Sequence, residues 1–450
     1  MKTHLPDSGV NIERRIRKHI YAQPQTFEVA VPPGFLELCE RVLLRIASDM
    51  PGAEKSEFKI KKKNGRLQIE NAPFELCHDL LFFGLPFADV KILVFRGRCS
   101  NDEKLQSILD AIEWDLWIPS DISIDWDLRV DSSRSQLYNE SRIKEKVKKT
   151  LQARFKNRNQ NKSKSDSSPL ELGLDFRLER ESLEVLLSLG GRNYWQRGHK
   201  KDLRHAAPLR EDLAGCIVQR LADLHSEWSS TKHPSLVWNP FCGTGTLLYE
   251  AALNLSGIAR LDADKLTWSY PHLPFFKGAS FQHRAKKVGE LISSPAKKPQ
   301  VIHFLGEEKN PEVIEPALRS FSESGLVSLF APKVEIISQD STQSGGDNSS
   351  IVAHECVWLL ANPPFGLRLS NSTQGGTEKL YRAFAQRIHD VGNAMLASNK
   401  VFSGVVLCAT EENWLTLKKT LSGWRQRCEH FTLGGLDIRA FYFSNTRDRK

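Results

Sequence analysis

From Leu236 onward the chain repeats one pattern: a short apolar run, a loop, then a segment whose apolar residues fall at helical spacing. The apolar runs end near Trp238, Leu305, Ser338 and Ala361, and a fifth covers Val401 to Cys408. Helical segments lie between them, notably Thr246 to Leu255 and Leu380 to Val391, where Tyr381, Phe384, Ile388 and Val391 keep the period of an α-helix. Strands that alternate with helices in this way pair in parallel through crossovers, so the pattern predicts an α/β, doubly wound, mainly parallel sheet. Two last runs, His430 to Leu433 and Ala440 to Phe443, flank Gly434-Gly435 and read as a closing antiparallel hairpin.

The 450 residues exceed the roughly 100–200 of one domain, so the region ahead of residue 191 should hold a core of its own. Residues 1–26 are polar and basic, with Arg14, Arg15, Arg17 and Lys18 close together, and read as a flexible arm. From Phe27 a strand-like FEVAV precedes Pro32-Pro33-Gly34 and a helical set, Phe35, Leu38, Val42, Leu43 and Ile46, which begins a small α+β unit over 27–75. Between 76 and 190 strand candidates (KILVFRG, ISIDWDLRV, LGLDFRL, LEVLLSL) alternate with helical stretches at Lys104 to Trp114 and Ser141 to Phe155. The second helix sets Ile143, Val147 and Leu151 on one face and Lys144, Lys146, Lys148 and Lys149 on the other, and the basic run continues through Arg154, Lys156, Arg158, Lys162 and Lys164.

A charge run is usually a solvated helix face. Here its single sign, a formal net charge of +9 and a pI near 9.0 put a nucleic-acid partner on an equal footing with that reading. No apolar run approaches the roughly 20 residues that cross a bilayer, and the start MKTHLPDSGVNIERRIRKH lacks a signal-peptide core, so a soluble, cytoplasmic chain with no membrane partner is expected. The eight cysteines are scattered without a C-x-x-C pair or neighbouring histidines, and no metal site is expected.

Ligands of an open parallel sheet bind beyond the carboxyl ends of its strands. After the first apolar run comes Asn239-Pro240-Phe241-Cys242-Gly243-Thr244-Gly245-Thr246, leading straight into a helix. Gly243 and Gly245 bare the backbone where a ligand approaches, and the helix N-terminus offers free N–H donors. The absence of a third glycine and of a P-loop lysine favours a ligand smaller than a dinucleotide. Glu307 and Glu308 follow the second run, where a carboxylate can accept ribose hydroxyls, and Asp340 follows the third, where one can accept from an adenine amine. Each alone is an ordinary surface or capping acid, but at successive strand ends they outline an adenosine-shaped pocket.

The fourth run ends in Asn362-Pro363-Pro364-Phe365. An Asn-Pro pair is often only a turn. The two prolines, however, fix the backbone so that the Asn362 side-chain oxygen and the Pro363 carbonyl face one cleft, with Phe365 beside them. An amine on an aromatic base is a poor nucleophile because its lone pair is delocalised into the ring. Two acceptors holding its N–H bonds favour a pyramidal nitrogen that attacks a methyl carbon without a strong base. Phe365 is expected to stack on the base, which must be unpaired or flipped out.

Taken together, these residues resemble the Rossmann-like methyltransferases with an N-terminal THUMP domain, in particular the large-subunit ribosomal RNA guanine-N2 methyltransferases and their transfer-RNA relatives. Tyr194 to His199 and His205 to Glu211, with Pro208, look like the family's R-G-Y-R and A-P-[IL]-[KR]-E segment, which closes over the methionine end of the cofactor. Asn239 to Thr246 resembles its D-P-[MF]-C-G-[ST]-G-T loop, Glu308 and Asp340 fall at its ribose and adenine contacts, and Asn362 to Phe365 matches its catalytic N-P-P-[YF]. Asn239 replaces the usual Asp, and Glu307-Glu308 stands where the family shows a Ser-Asp or Asn-Asp type pair, so the resemblance does not choose between the two glutamates.

The resemblance implies S-adenosylmethionine as cofactor, RNA as partner, a monomer, a THUMP RNA-binding domain over 76–190 after a ferredoxin-like piece, and a methyltransferase domain over 191–450. The expected activity is guanine-N2 methylation of RNA, large-subunit ribosomal RNA ahead of transfer RNA. Adenine-N6 methylation through the same N-P-P-F geometry is a second enzyme reading. A non-catalytic RNA-binding assembly factor, for which Asn239 is the best support, is a reading of another class.

Overall fold

A computed structural model describes residues 9–49, 58–156, 169–191, 194–197, 209–231, 233–256, 268–293, 302–323, 333–340, 348–365 and 374–446. The chain separates into two compact units, one of Met1–Val31, Glu40–Trp195 and Asp264–Lys286, the other of Pro32–Cys39, Gln196–Ala263 and Lys287–Lys450.

The first unit is built on strands β1 (Gln25–Ala30), β2 (Lys59–Lys63), β3 (Arg66–Ala72), β4 (Asp89–Arg98), β5 (Ile124–Ser133), β6 (Leu170–Glu179) and β7 (Ser182–Ser188), in the order β2-β3-β1-β4-β7-β6-β5. One continuous sheet therefore draws strands from both the 27–75 and the 76–190 segments. Only β5 and β6 run parallel, and β5 is an edge. The β2–β3 hairpin turns on Asn64 and Gly65, both at positive φ (47° and 73°), the pairing that a two-residue hairpin loop with right-handed twist requires. Strand β2, KIKKK, has no apolar alternation and escapes a hydrophobicity reading. It is the other edge, and its lysines reach outward to Glu40 (2.7 Å from Lys62) and Glu184 (3.1 Å from Lys63), an arrangement that guards an edge from further pairing.

Two expectations for this part change. Residues 9–21 are helical, Gly9–Ile16 running into a π-helical turn at Arg17–Tyr21, where a flexible arm was expected. Ile16 and Ile20 are buried and the Tyr21 hydroxyl donates to Phe275 O at 2.9 Å, so two apolar side chains one turn apart suffice to dock a basic segment. Asp264–Lys286, inside the segment expected to be wholly methyltransferase, groups with the first unit. Its aromatic residues explain this: Tyr270 Oη lies 2.9 Å from His78 Nε2, Phe281 stacks on Phe82 at 5.0 Å, and Lys277 and Arg284 pair with Glu75 and Asp79.

The second unit carries β8 (Leu236–Asn239), β9 (His303–Glu308), β10 (Lys333–Ser338), β11 (Cys356–Ala361), β12 (Val401–Cys408), β13 (Arg425–Leu433) and β14 (Leu436–Ser444), in the order β10-β9-β8-β11-β12-β14-β13. The first five are parallel, as the strand–helix alternation predicts, and β13 and β14 form the antiparallel hairpin over Gly434-Gly435, both at positive φ. Every residue of β11 is buried, as expected of a strand covered on both faces. Against it the Gln374–Ala397 helix packs Tyr381, Phe384, Ile388 and Val391, all at 0–1% exposure, and the Tyr381 hydroxyl donates to Leu407 O at 2.7 Å. Strand order reverses between β8 and β11, which places the crevice for a ligand beyond their carboxyl ends. Among the described residues no helix is long and apolar enough to cross a membrane, and no three His, Cys, Asp or Glu side chains cluster as metal ligands.

Candidate active site

At the end of β8 the chain turns sharply into the Thr246–Ser256 helix. Asn239 is buried, and its Oδ1 accepts the Phe241 N–H at 3.2 Å, which fixes the turn. The Cys242 N–H donates to Glu307 O at 2.9 Å, and the Gly243 N–H donates to Glu308 Oε2 at 2.7 Å, so the loop is tied to the end of β9. This requires close backbone approach: a Cβ at Gly306 would sit 2.7 Å from Cys242 Sγ. Gly243 and Gly245 have φ of +52° and +77°, the region that favours glycine. Burial pushes the Cys242 thiol well above its usual range and keeps it neutral.

Adjacent strand residues face opposite ways, and that alternation separates the two glutamates. Glu307 is 1% exposed; its carboxylate accepts from Arg387 at 2.7 and 2.9 Å and from Trp238 Nε1–H at 3.0 Å. The Arg387 guanidinium lies 4.8 Å from the Trp238 ring centroid, closing a buried cluster beneath the strand ends. Glu308, by contrast, holds the Gly243 N–H and the Asn310 N–H (2.9 Å) at the cavity side. Asp340, after β10, lies 3.0 Å from Lys309 Nζ.

These strand ends enclose a cavity of about 440 Å³, within the range of small-ligand sites. Of the residues expected from sequence, Asn239, Phe241, Gly243, Thr246, Glu307, Glu308, Asp340 and Asn362 border it, and Pro364 joins them. Gly245, Pro363 and Phe365 do not contribute to its wall; Pro363 is buried and Phe365 half-buried. Pro208 lies outside the described residues. Leu209, Thr244, Lys309, Gln339 and Leu380 were not anticipated. Asn362 Oδ1 is buried with no hydrogen-bond partner among the described residues. An unsatisfied buried carbonyl costs about 1–3 kcal/mol, so it marks a place where a donor from outside the protein belongs.

Behind the cavity, Arg197 is fully buried: its guanidinium holds Glu250 of the Thr246–Ser256 helix at 3.0 and 3.3 Å, and its backbone N–H donates to Glu211. Burial opposes its charge, yet the Glu250 and Glu211 carboxylates hold it protonated beyond the ordinary arginine range. Gly215 leaves room for the pair, since a Cβ there would lie 2.9 Å from a Glu250 oxygen.

The basic helix, observed as Glu140–Lys156, divides its charges. Lys146 Nζ is consumed by Asp102 O at 2.6 Å, Lys149 pairs with Glu145 at 2.7 Å, and Arg154 lies 4.0 Å from Asp115. Lys144 and Lys148 are exposed with no ion-pair partner among the described residues.

Comparison with known proteins bears on the second unit. Residues 197–405 match the family described as UPF0020: RMKL-like, methyltransferase domain. The chain is 24% identical over 288 residues to the ribosomal RNA large subunit methyltransferase K/L of Shewanella baltica, a stretch that covers 63% of this chain but only 37% of that protein. Two solved structures share the fold over 95% of this chain and 99% of theirs. They are SMU.472, a putative methyltransferase complexed with SAH (TM-score 0.67, 18% identity), and a possible methylase from Clostridium difficile 630 (TM-score 0.70, 16% identity).

Proposed function

We propose, from the match of residues 197–405 to the RMKL-like methyltransferase domain, that the chain methylates the exocyclic N2 amine of a guanine in RNA, most specifically large-subunit ribosomal RNA. S-adenosylmethionine is the cofactor, and it supplies an electrophilic methyl carbon. The backbone of the Gly243 loop, Glu308 and Asp340 fit its adenosine part, and the fold neighbour bound to SAH supports the same assignment.

The observation that carries the reading is the orphaned Asn362 oxygen at the edge of that cavity. It accepts one N–H of the target amine and turns the nitrogen lone pair toward the methyl group. The prolines on either side of the motif's centre hold the backbone for this, so Asn362 needs little reorganisation as the reaction proceeds. Once the N–CH3 bond forms the amine is acidic and its proton passes to solvent. The rate comes from orientation and a preorganised acceptor, not from a base.

Asn239 does not argue for a decayed site. Its Oδ1 makes the turn contact to the Phe241 N–H that an aspartate oxygen would make, and the loop keeps its shape. The relatedness to a large-subunit ribosomal RNA enzyme supports the RNA class. The first unit is the RNA-holding part, a THUMP-like module in the cytoplasm's RNA-processing environment, with Lys144 and Lys148 on phosphates.

Nucleoside mass spectrometry of ribosomal and transfer RNA from a strain lacking the protein tests this. N2-methylguanosine should fall in ribosomal RNA and return with the wild-type chain but not with Asn362→Ala. Unchanged N2-methylguanosine in both RNA classes sinks the proposal, and loss of N6-methyladenosine instead replaces guanine by adenine as the target.

A further inference from the structure

Apart from the methyltransferase cavity, the first unit holds a groove of about 490 Å³ between the start of β5 and the Glu140–Lys156 helix. Ile124 and Trp126 form one wall, Phe155, Gln152 and Lys149 the other. Trp126 is half-buried, its ring tilted against Phe155 (centroids 6.0 Å apart, planes at 45°), and it lines the groove, so part of a large flat apolar surface faces the opening. Lys149 stands at the rim, and Lys144 and Lys148 extend the same exposed basic helix.

We propose that this groove is a second RNA contact, which takes one unpaired nucleobase stacked on Trp126 while Lys144 and Lys148 on the same helix neutralise the adjoining phosphates. The inference rests on the reading of the chain as an RNA enzyme and adds where, away from the reacting amine, the RNA is held. Its volume suits a ligand of nucleotide size. A flat aromatic wall accepts any base because every base offers a π-face, and cations at the rim match the flanking phosphates. An added peptide strand is disfavoured although β5 is an edge: Asp125, Arg129 and Asp131 alternate outward along it, charges that resist strand addition. Those side chains project from the sheet face opposite Ile124 and Trp126, so the acids do not border the groove wall that carries the indole.

The test uses the full chain and anisotropy of a 5′-fluorescein, eight-nucleotide single-stranded adenylate RNA, with a duplex of equal length as control. Trp126→Ala should weaken single-strand binding about 10-fold, leave the salt slope unaltered because no charge is removed, and barely affect the duplex. Trp126→Phe should recover most of the loss. Unchanged calorimetric binding of S-adenosylmethionine checks that the variants are folded. Equal single-strand affinity in Trp126→Ala and wild type, or equal losses for both RNAs, overturns the groove alone. Failure of the wild-type chain to bind either RNA overturns the RNA reading with it. A photo-crosslinking residue at Gln152 should give ribonuclease-sensitive adducts; adducts only to protein assign the groove to a peptide and refute the base site.

Discussion

Glu307 and Glu308 are neighbours in sequence, yet their replacement should be felt in opposite assays. Glu308→Ala removes the acceptor for the Gly243 and Asn310 N–H groups and, when cofactor is bound, the proposed partner of its ribose hydroxyls. Hydrogen bonds to a charged group are worth about 1.5–3 kcal/mol each, so two lost ribose contacts amount to about 3 kcal/mol at the low end. At roughly 1.4 kcal/mol per tenfold that is about a 100-fold rise in the dissociation constant of S-adenosylmethionine. Fold stability should fall less than in Glu307→Ala, because the Gly243 and Asn310 N–H groups that lose their acceptor stand at the cavity side, where water can replace it. Glu307→Ala removes the carboxylate that accepts two hydrogen bonds from Arg387, a residue 6% exposed that also donates to Asn348 Oδ1 at 3.1 Å. Breaking a buried ion pair from one side costs about 3–5 kcal/mol. For a unit of this size that corresponds to a fall of roughly 6–20 °C in its Tm. Isothermal calorimetry and differential scanning calorimetry on both variants give four numbers. A Glu307→Ala protein that keeps its Tm but loses cofactor affinity would refute the division of labour drawn from the strand alternation.

Three further outcomes are expected. Asn362→Ala should abolish methyl transfer in a single-turnover assay with the cofactor dissociation constant within about threefold of wild type, because its oxygen acts on the amine; a parallel loss of cofactor affinity counts against that role. Lys144→Ala with Lys148→Ala should lower the slope of log K against log salt by about 1.5–2 for RNA, and Lys146→Ala, whose ammonium is engaged by Asp102 O, should instead lower stability. An unaltered slope in the double variant returns the helix to a solvated face. Burial pushes the His78 imidazole down from 6.5 to about 4, so the unfolded chain takes up that proton first, and the first unit loses about 3 kcal/mol from this group as pH falls from 6.5 to 4. Asp89, pushed by burial up to about 6, acts with the opposite sign across the lower part of that window, so the check is the difference between wild type and His78→Gln, whose acid limb should be flatter; an NMR titration placing His78 above 6 refutes it.

The parallel sheet was legible because its strands are buried on both faces and write themselves as unbroken apolar runs separated by helical periods. β12 coincides with the expected Val401 to Cys408, and the hairpin follows from Gly434-Gly435. The same unbroken runs hide which way each side chain points, and so Glu307 and Glu308 could not be told apart without coordinates. Arg387 was missed although a signal existed. It falls three residues after Phe384 and one before Ile388, on the core-facing stripe of its helix, where a lone charge demands a buried partner. Glu250 within LLYEAALNL carries the same signal and is answered by Arg197. The aromatic segment from Trp268 to Phe281 was misassigned because sequence order says nothing about which core a mid-chain excursion joins; its rings join those of Phe82 and His78.

The site's departures from the family pattern it resembles can be read by counting charge at the strand ends. Position 239 needs an oxygen to close its turn, and the amide of Asn239 supplies one to the Phe241 N–H without adding a negative charge at a residue 1% exposed to solvent. On the opposite face of the sheet, which Trp238 shares, Glu307 places a buried carboxylate that Arg387 balances while packing on Trp238. An aspartate at 239 would instead add a buried anion on the face that already carries Glu308, and burying an unmatched charge is costly. An amide at 239 leaves Glu308 and Asp340 as carboxylates bordering the cavity, and the chemistry stays where the sequence first pointed, at an asparagine whose buried oxygen has no donor among the described residues.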